Sequence, residues 1–177
     1  QKLIQIDDKE INSLIGYLLL CLNSNFVTQM DSKIFSLKPI FESEIDELLY
    51  YAKNGDDNKQ VELARFYYKQ KSYAEAFKWY EAAAKQGNPD GINGVGCCYK
   101  GGFSVEKNDK YAVQLFSKAA DKGSERAQYN LAMAYYSGTG IEMDCEKACS
   151  LFKKLAEEGE SHSQYMVGKY LMSNHGG

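Results

Sequence analysis

Residues 82–102 read AAAKQGNPDGINGVGCCYKGG, and residues 118–140 read KAADKGSERAQYNLAMAYYSGTG. The two phrases run in register, Ala83 with Ala119, Gly87 with Gly123, Val95 with Leu131 and Tyr99 with Tyr135. Gly87, Gly123 and Gly159 follow one another at 36 residues, and Gly55 precedes Gly87 by 32. A fixed period of this size marks stacked supersecondary units, none of which can bury its apolar face alone. A helical phrase stands before each glycine: KWYEAAAKQG, QLFSKAADKG and SLFKKLAEEG. Glycine is the residue that most easily takes the left-handed turn ending a helix.

The positions that recur are those that packing demands. One turn earlier in each phrase stand Ala76, Ala112 and Ala148, small enough for a neighbouring helix to approach closely. After each glycine comes a large residue, a tiny one and, one turn on, an aromatic or Leu. These are Leu63-Ala64-Tyr67, Val95-Gly96-Tyr99, Leu131-Ala132-Tyr135 and Val167-Gly168-Leu171. The links GGFSVEKNDKYA (101–112) and GTGIEMDCEKA (138–148) turn the chain on glycines. Val105 or Ile141 plugs the corner, and Asn108 or Asp144 caps the next helix. Neither link is a phosphate cradle, because no strand precedes it and no Lys-Ser/Thr follows. The pattern predicts helix–turn–helix pairs and no sheet.

These residues resemble the Sel1-like repeat, a relative of the tetratricopeptide repeat. The matching phrases are the small-x-x-x-Leu/Val-small-x-x-Tyr helix, the Gly-rich turn, Asp-x-x-Lys-Ala at 144–148 and the closing Ala-Ala-x-x-Gly. The resemblance implies an all-α fold, a right-handed α-solenoid. Residues 88–123 and 124–159 form full Sel1-like units. Residues 56–87 form a shorter, tetratricopeptide-like unit that turns on Gln70-Lys71-Ser72. Residues 160–177 supply the first helix of a partial unit and a tail. Residues 43–55 read as the second helix of a degenerate unit, opened by Ser43 and Asp46 and closed by Gly55. Residues 1–42 read as an N-terminal cap, with a helix over 8–24 and a loop over 31–41 pinned by Pro39. Some secreted relatives staple each repeat with paired cysteines; this chain has no such repeating pair.

Composition narrows the functional classes. The chain has 177 residues, 44% hydrophobic and 25% charged, with a net charge of −3. It lacks the basic excess that phosphate-backbone binding demands, which argues against nucleic acid. The apolar stretch INSLIGYLLLCL (11–22) is too short to span a bilayer and follows acidic residues, so no membrane insertion is expected. The five cysteines, Cys21, Cys97, Cys98, Cys145 and Cys149, form no disulfide framework. Free thiols point to a reducing compartment and a cytoplasmic protein. A periplasmic or secreted location follows instead if a signal precedes Gln1.

Chemistry has few candidates. The histidines are His162 and His175, in no metalloprotease motif. Cys145 and Cys149 lie one helical turn apart but lack a second ligand pair. No catalytic residue, metal or cofactor is assigned. A hydrolase using His162 with a nearby thiol or hydroxyl is the enzyme alternative.

First helices line the concave side of such arrays, and helical spacing gives their inward positions. These are Val61, Glu62, Lys69, Gly94, Cys97, Arg126, His162 and Met166 together with the expected partner-binding residues Arg65, Tyr68, Asn93, Lys100, Tyr129, Asn130, Met133, Tyr136, Tyr165 and Lys169. Tyrosine, arginine and methionine are common in binding surfaces, and the chain has 14 tyrosines. The expected role is a non-enzymatic protein–protein interaction module that holds a protein or peptide in the concave groove. What the resemblance implies is an adaptor, or alternatively an immunity-type inhibitor that neutralises a bacterial toxin or effector. The pattern sets no oligomeric state.

Overall fold

The computed structural model describes residues 43–174. The helix expected over 8–24, the loop over 31–41, Cys21 and His175 lie outside the described residues. Eight helices follow one another: α1 (Glu44–Lys53), α2 (Asp57–Lys69), α3 (Tyr73–Lys85), α4 (Pro89–Gly101), α5 (Asp109–Asp121), α6 (Glu125–Ser137), α7 (Cys145–Glu157) and α8 (Ser161–Asn174). No strand occurs among the described residues. No helix among them is long and apolar enough to cross a membrane.

Local chemistry sets most boundaries of the pairs, although Ser72 starts α3 without a side-chain cap. Gly55, Gly87, Gly123 and Gly159 all have φ between 89° and 98°. At each, the two residues after the C-cap return hydrogen bonds into the last turn. Asn88 N–H donates to Ala83 and Gly87 N–H to Ala84; Ser124 N–H donates to Ala119 and Gly123 N–H to Ala120. This is the Schellman arrangement, and it reverses the chain in three residues. The following helix is then capped at once. Asn88, Ser124 and Asp56 accept from the N–H of Gly91, Ala127 and Lys59, while Asn108 and Asp144 cap α5 and α7 as the sequence suggests. The short unit makes its inner turn with Lys71 at φ 60°, where a non-glycine residue bears a steric cost.

Helix–helix contact falls on the small residues. Ala64, Ala76, Ala83, Ala119 and Ala132 are fully buried. A Cβ built on Gly96 would come within 2.7 Å of the Phe116 ring. The large core side chains are Leu63, Phe116, Phe152 and Leu155. Tyr67, Tyr99 and Tyr135 wedge against these clusters half-buried.

Each helix packs on its neighbours in sequence, and α2, α4 and α6 also touch one another in turn. No contact of comparable extent joins α3, α5 and α7. The first helices therefore crowd the inner side of the curve and the second helices spread over the outer side, giving an α-solenoid with a concave face built from α2, α4, α6 and α8.

Candidate binding groove

The concave face holds a cavity of about 850 Å³. Its walls come from the inward residues of three first helices and the start of a fourth: Arg65, Tyr68 and Lys69 on α2; Asp90, Asn93, Gly94 and Cys97 on α4; Glu125, Arg126, Tyr129 and Asn130 on α6; and Glu160 and His162 at α8.

Two polar rungs hold the floor. In the first, Arg65 Nη2 donates to Asp90 Oδ2 at 2.5 Å, and Ser124 Oγ donates to Asp90 Oδ1 at 2.7 Å. One carboxylate thus ties α2, α4 and the cap of α6 together. In the second, Asn130 Nδ2 donates to Asn93 Oδ1 at 2.8 Å and to the Cys97 sulfur at 3.6 Å. Partly buried polar groups joined in this way resist rearrangement, because breaking a rung forfeits hydrogen bonds that are sheltered from water.

Tyr80 enters from the second helix α3. Its ring lies under Gly94, where any Cβ would come within 2.2 Å of it. The residues in register with Tyr80 are Phe116 and Phe152, so only here does the aromatic core position carry a hydroxyl to the groove floor. Burial pushes the Tyr80 phenol up to about 12, so it stays a proton donor at neutral pH. Burial likewise raises the Cys97 thiol, and it pushes Cys98 up to about 12. Both sulfurs are protonated at neutral pH, unlike the thiolates that act as nucleophiles. Among the described residues no three His, Cys, Asp or Glu side chains cluster to hold a metal ion.

Besides the inward Lys69, Gly94, Cys97, Arg126 and His162, five of the ten residues expected to bind a partner line this cavity: Arg65, Tyr68, Asn93, Tyr129 and Asn130. The other five lie elsewhere. Lys100 stands at the α4–α5 edge, beside a small gap lined by Asp109 and Thr139. Met133 and Tyr136 pack against the cluster of Ala132, Ala148, Phe152 and Met166. Lys169 Nζ sits 5.6 Å over the Tyr136 ring, and Tyr165 is 64% exposed next to His162. Tyr129 belongs to both places. It faces the cavity and also meets Phe152 and His162 edge-on at 5.8 and 5.6 Å.

Spacing missed Tyr80, Asp90, Glu125 and Glu160. A signal for Tyr80 existed in the pairing of Gly94 with a tyrosine where the other units carry phenylalanine. Asp90, Glu125 and Glu160 sit at the junction between units, and the count of inward positions started after them.

The helix pairs, their curvature and the open inner face define an α-solenoid interaction protein. The Sel1 repeat model matches residues 60–88, 89–124 and 125–160, more than half of the sequence, and the chain belongs to the Sel1 repeat family. Repeats of this family generally serve as protein–protein interaction modules. Among solved structures, a Sel1 repeat protein from Oxalobacter formigenes is 28% identical with a TM-score of 0.59, covering 71% of this chain and 98% of its own. The protein c5321, a protective antigen present in uropathogenic Escherichia coli strains, displays an SLR fold. It is 32% identical with a TM-score of 0.63 over 76% of this chain, which spans 30% of that longer protein. Helicobacter pylori cysteine rich protein B shares the fold at 19% identity, with a TM-score of 0.54 over 71% of this chain and 98% of its own. A search of curated proteins found no match.

Proposed function

We propose that this protein is a non-enzymatic adaptor that holds a segment of a partner protein in its concave groove. The observation that carries this reading is the floor. Arg65–Asp90–Ser124 and Asn93–Asn130 cross from helix to helix and hold the cavity open before any partner arrives. A groove already organised loses little freedom on binding, so more of the contact energy appears as affinity. The variable residues of the repeat face this cavity, whereas the recurring ones are used in packing. The free thiols of Cys97, Cys98, Cys145 and Cys149 suit work in a reducing compartment.

The test is site-directed photo-crosslinking in the native cell. A photoreactive residue at position 68 or 129 should capture the same partner, and one at the exposed Lys118 or Lys153 of the second helices should not. Capture confined to positions 118 and 153 would move the binding face to the outer side.

A further inference from the structure

Arg126 stands where its own helix gains least from it. It is the second residue of α6, and a cation in the first turn opposes the helix dipole. The residue in register on α4 is Asp90, which suits a helix start. The Arg126 side chain is exposed and makes neither an ion pair nor a hydrogen bond among the described residues. A residue that breaks a local rule with no compensation inside the fold is a mark of function.

The other charges of the cavity are unevenly committed. Both Asp90 oxygens are taken, by Arg65 and by Ser124. The Glu160 carboxylate accepts from the N–H groups of His162 and Ser163 at the start of α8. Arg126 and Lys69 are thus the cations of the cavity without an ion pair, with the carboxylates of Glu125 and Glu160 also on its lining. The neutral groups leave hydrogen-bonding capacity beside Arg126. The Asn93 Nδ2 donor and the Asn130 Oδ1 acceptor remain after their mutual bond, and the Tyr80 hydroxyl lies on the floor.

We infer that the groove takes an extended acidic segment, with an aspartate or glutamate side chain on Arg126 and an adjoining peptide unit on Asn93 and Asn130. This rests on the groove reading above and deepens it. The free donor and acceptor of the asparagine pair match the C=O and N–H of one peptide unit. The carboxylate then supplies the partner that Arg126 lacks, in the charge-assisted geometry that guanidinium favours.

The experiment selects short displayed peptides of random sequence against the full chain and, in parallel, against its Arg126→Glu variant. Arg126 has no partner to lose, so the variant should melt no lower than the parent. Peptides selected on the parent should be rich in Asp and Glu. A synthetic peptide of that set should lose about tenfold or more in affinity to Arg126→Glu and less to Lys69→Glu. Selection on Arg126→Glu should turn toward Lys and Arg.

Peptides that lose binding to Tyr68→Ala and Asn93→Ala yet show no acidic excess would overturn the carboxylate assignment and leave the groove standing. If selection yields only peptides indifferent to Tyr68→Ala, Asn93→Ala and Arg126→Glu alike, both readings fall.

Discussion

The joint between α4 and α6 and the joint between α6 and α8 are the same repeat positions filled with different chemistry. In the first, Asn93 meets Asn130 through a hydrogen bond of 2.8 Å, beside an open cavity. Shifted by one period these positions become Tyr129 and Met166, which share an apolar cluster with Ala148 and Phe152. The outer core barely changes between the joints: Ala112 and Phe116 in one, Ala148 and Phe152 in the other, all nearly inaccessible. Packing of the pairs constrains the outer positions and leaves the inward ones at liberty. One joint uses that liberty for a polar floor, the other for an aromatic seal.

The largest effects should fall on what the joints share. Phe116→Ala and Phe152→Ala should each cost about 3–5 kcal/mol in chemical denaturation, as deletions of buried rings do. A much smaller loss for Phe152 would show that the second joint yields where the first does not.

Next in size come Gly96 and Gly168, one repeat position in two settings. A Cβ at Gly96 would press on the Phe116 ring at 2.7 Å, while one at Gly168 meets nothing within 4 Å. Gly96→Ala should therefore lower stability by about 1–3 kcal/mol. Gly168→Ala should raise it by up to about 1 kcal/mol through helix propensity. Thermal melts of the two variants decide this by sign.

The polar rung can be weighed by a double-mutant cycle on Asn93→Ala and Asn130→Ala. The expected coupling is about 1 kcal/mol, the net worth of one partly buried hydrogen bond. Coupling near zero would mean that the floor is not held by this pair.

A similar but opposite change is expected at Lys71→Gly, which relieves a left-handed lysine at φ 60° in the short unit. The gain should be roughly 0.5–1 kcal/mol, the steric relief less the added chain entropy of glycine, and urea midpoints would read it.

The smallest effect concerns pH. The Ser163 side chain and the N–H groups of Ser163 and His162 hold the Glu160 carboxyl below the usual glutamate range. A lowered folded-state value gives stability that is complete above the ordinary range and lost as pH falls through the lowered one. The first turn of α8 should thus exchange its Ser163 amide hydrogen faster in acid, after correction for intrinsic exchange. Glu160→Gln should remove that pH dependence.

Much of this architecture is written in short-range chemistry. Gly55, Gly87, Gly123 and Gly159 end their helices because each takes a positive φ there. Asn108 and Asp144 start the next ones with side-chain caps. These features involve residues within about one turn of each other, so a single sequence displays them directly.

The groove is different. Helical spacing put Met133, Tyr136 and Lys169 on the inward face. It could not tell that Met133 and Tyr136 would be drawn into the second cluster while Tyr129 stays open to the cavity. Spacing names a face; the distance to the neighbouring helix decides whether that face is packed or free.

The repeat period, the glycine and cap residues and the alternation of large with tiny side chains determined, from sequence alone, an α-solenoid of helix pairs and its family. Only the tertiary structure decided that Tyr80 reaches the floor through the gap at Gly94, that Asp90 bridges Arg65 and Ser124, and that Arg126 is left without a partner. Asp90 meets Arg65 and Ser124 across separations of 25 and 34 residues in the chain. Their encounter is set by how the pairs stack, which no local pattern records.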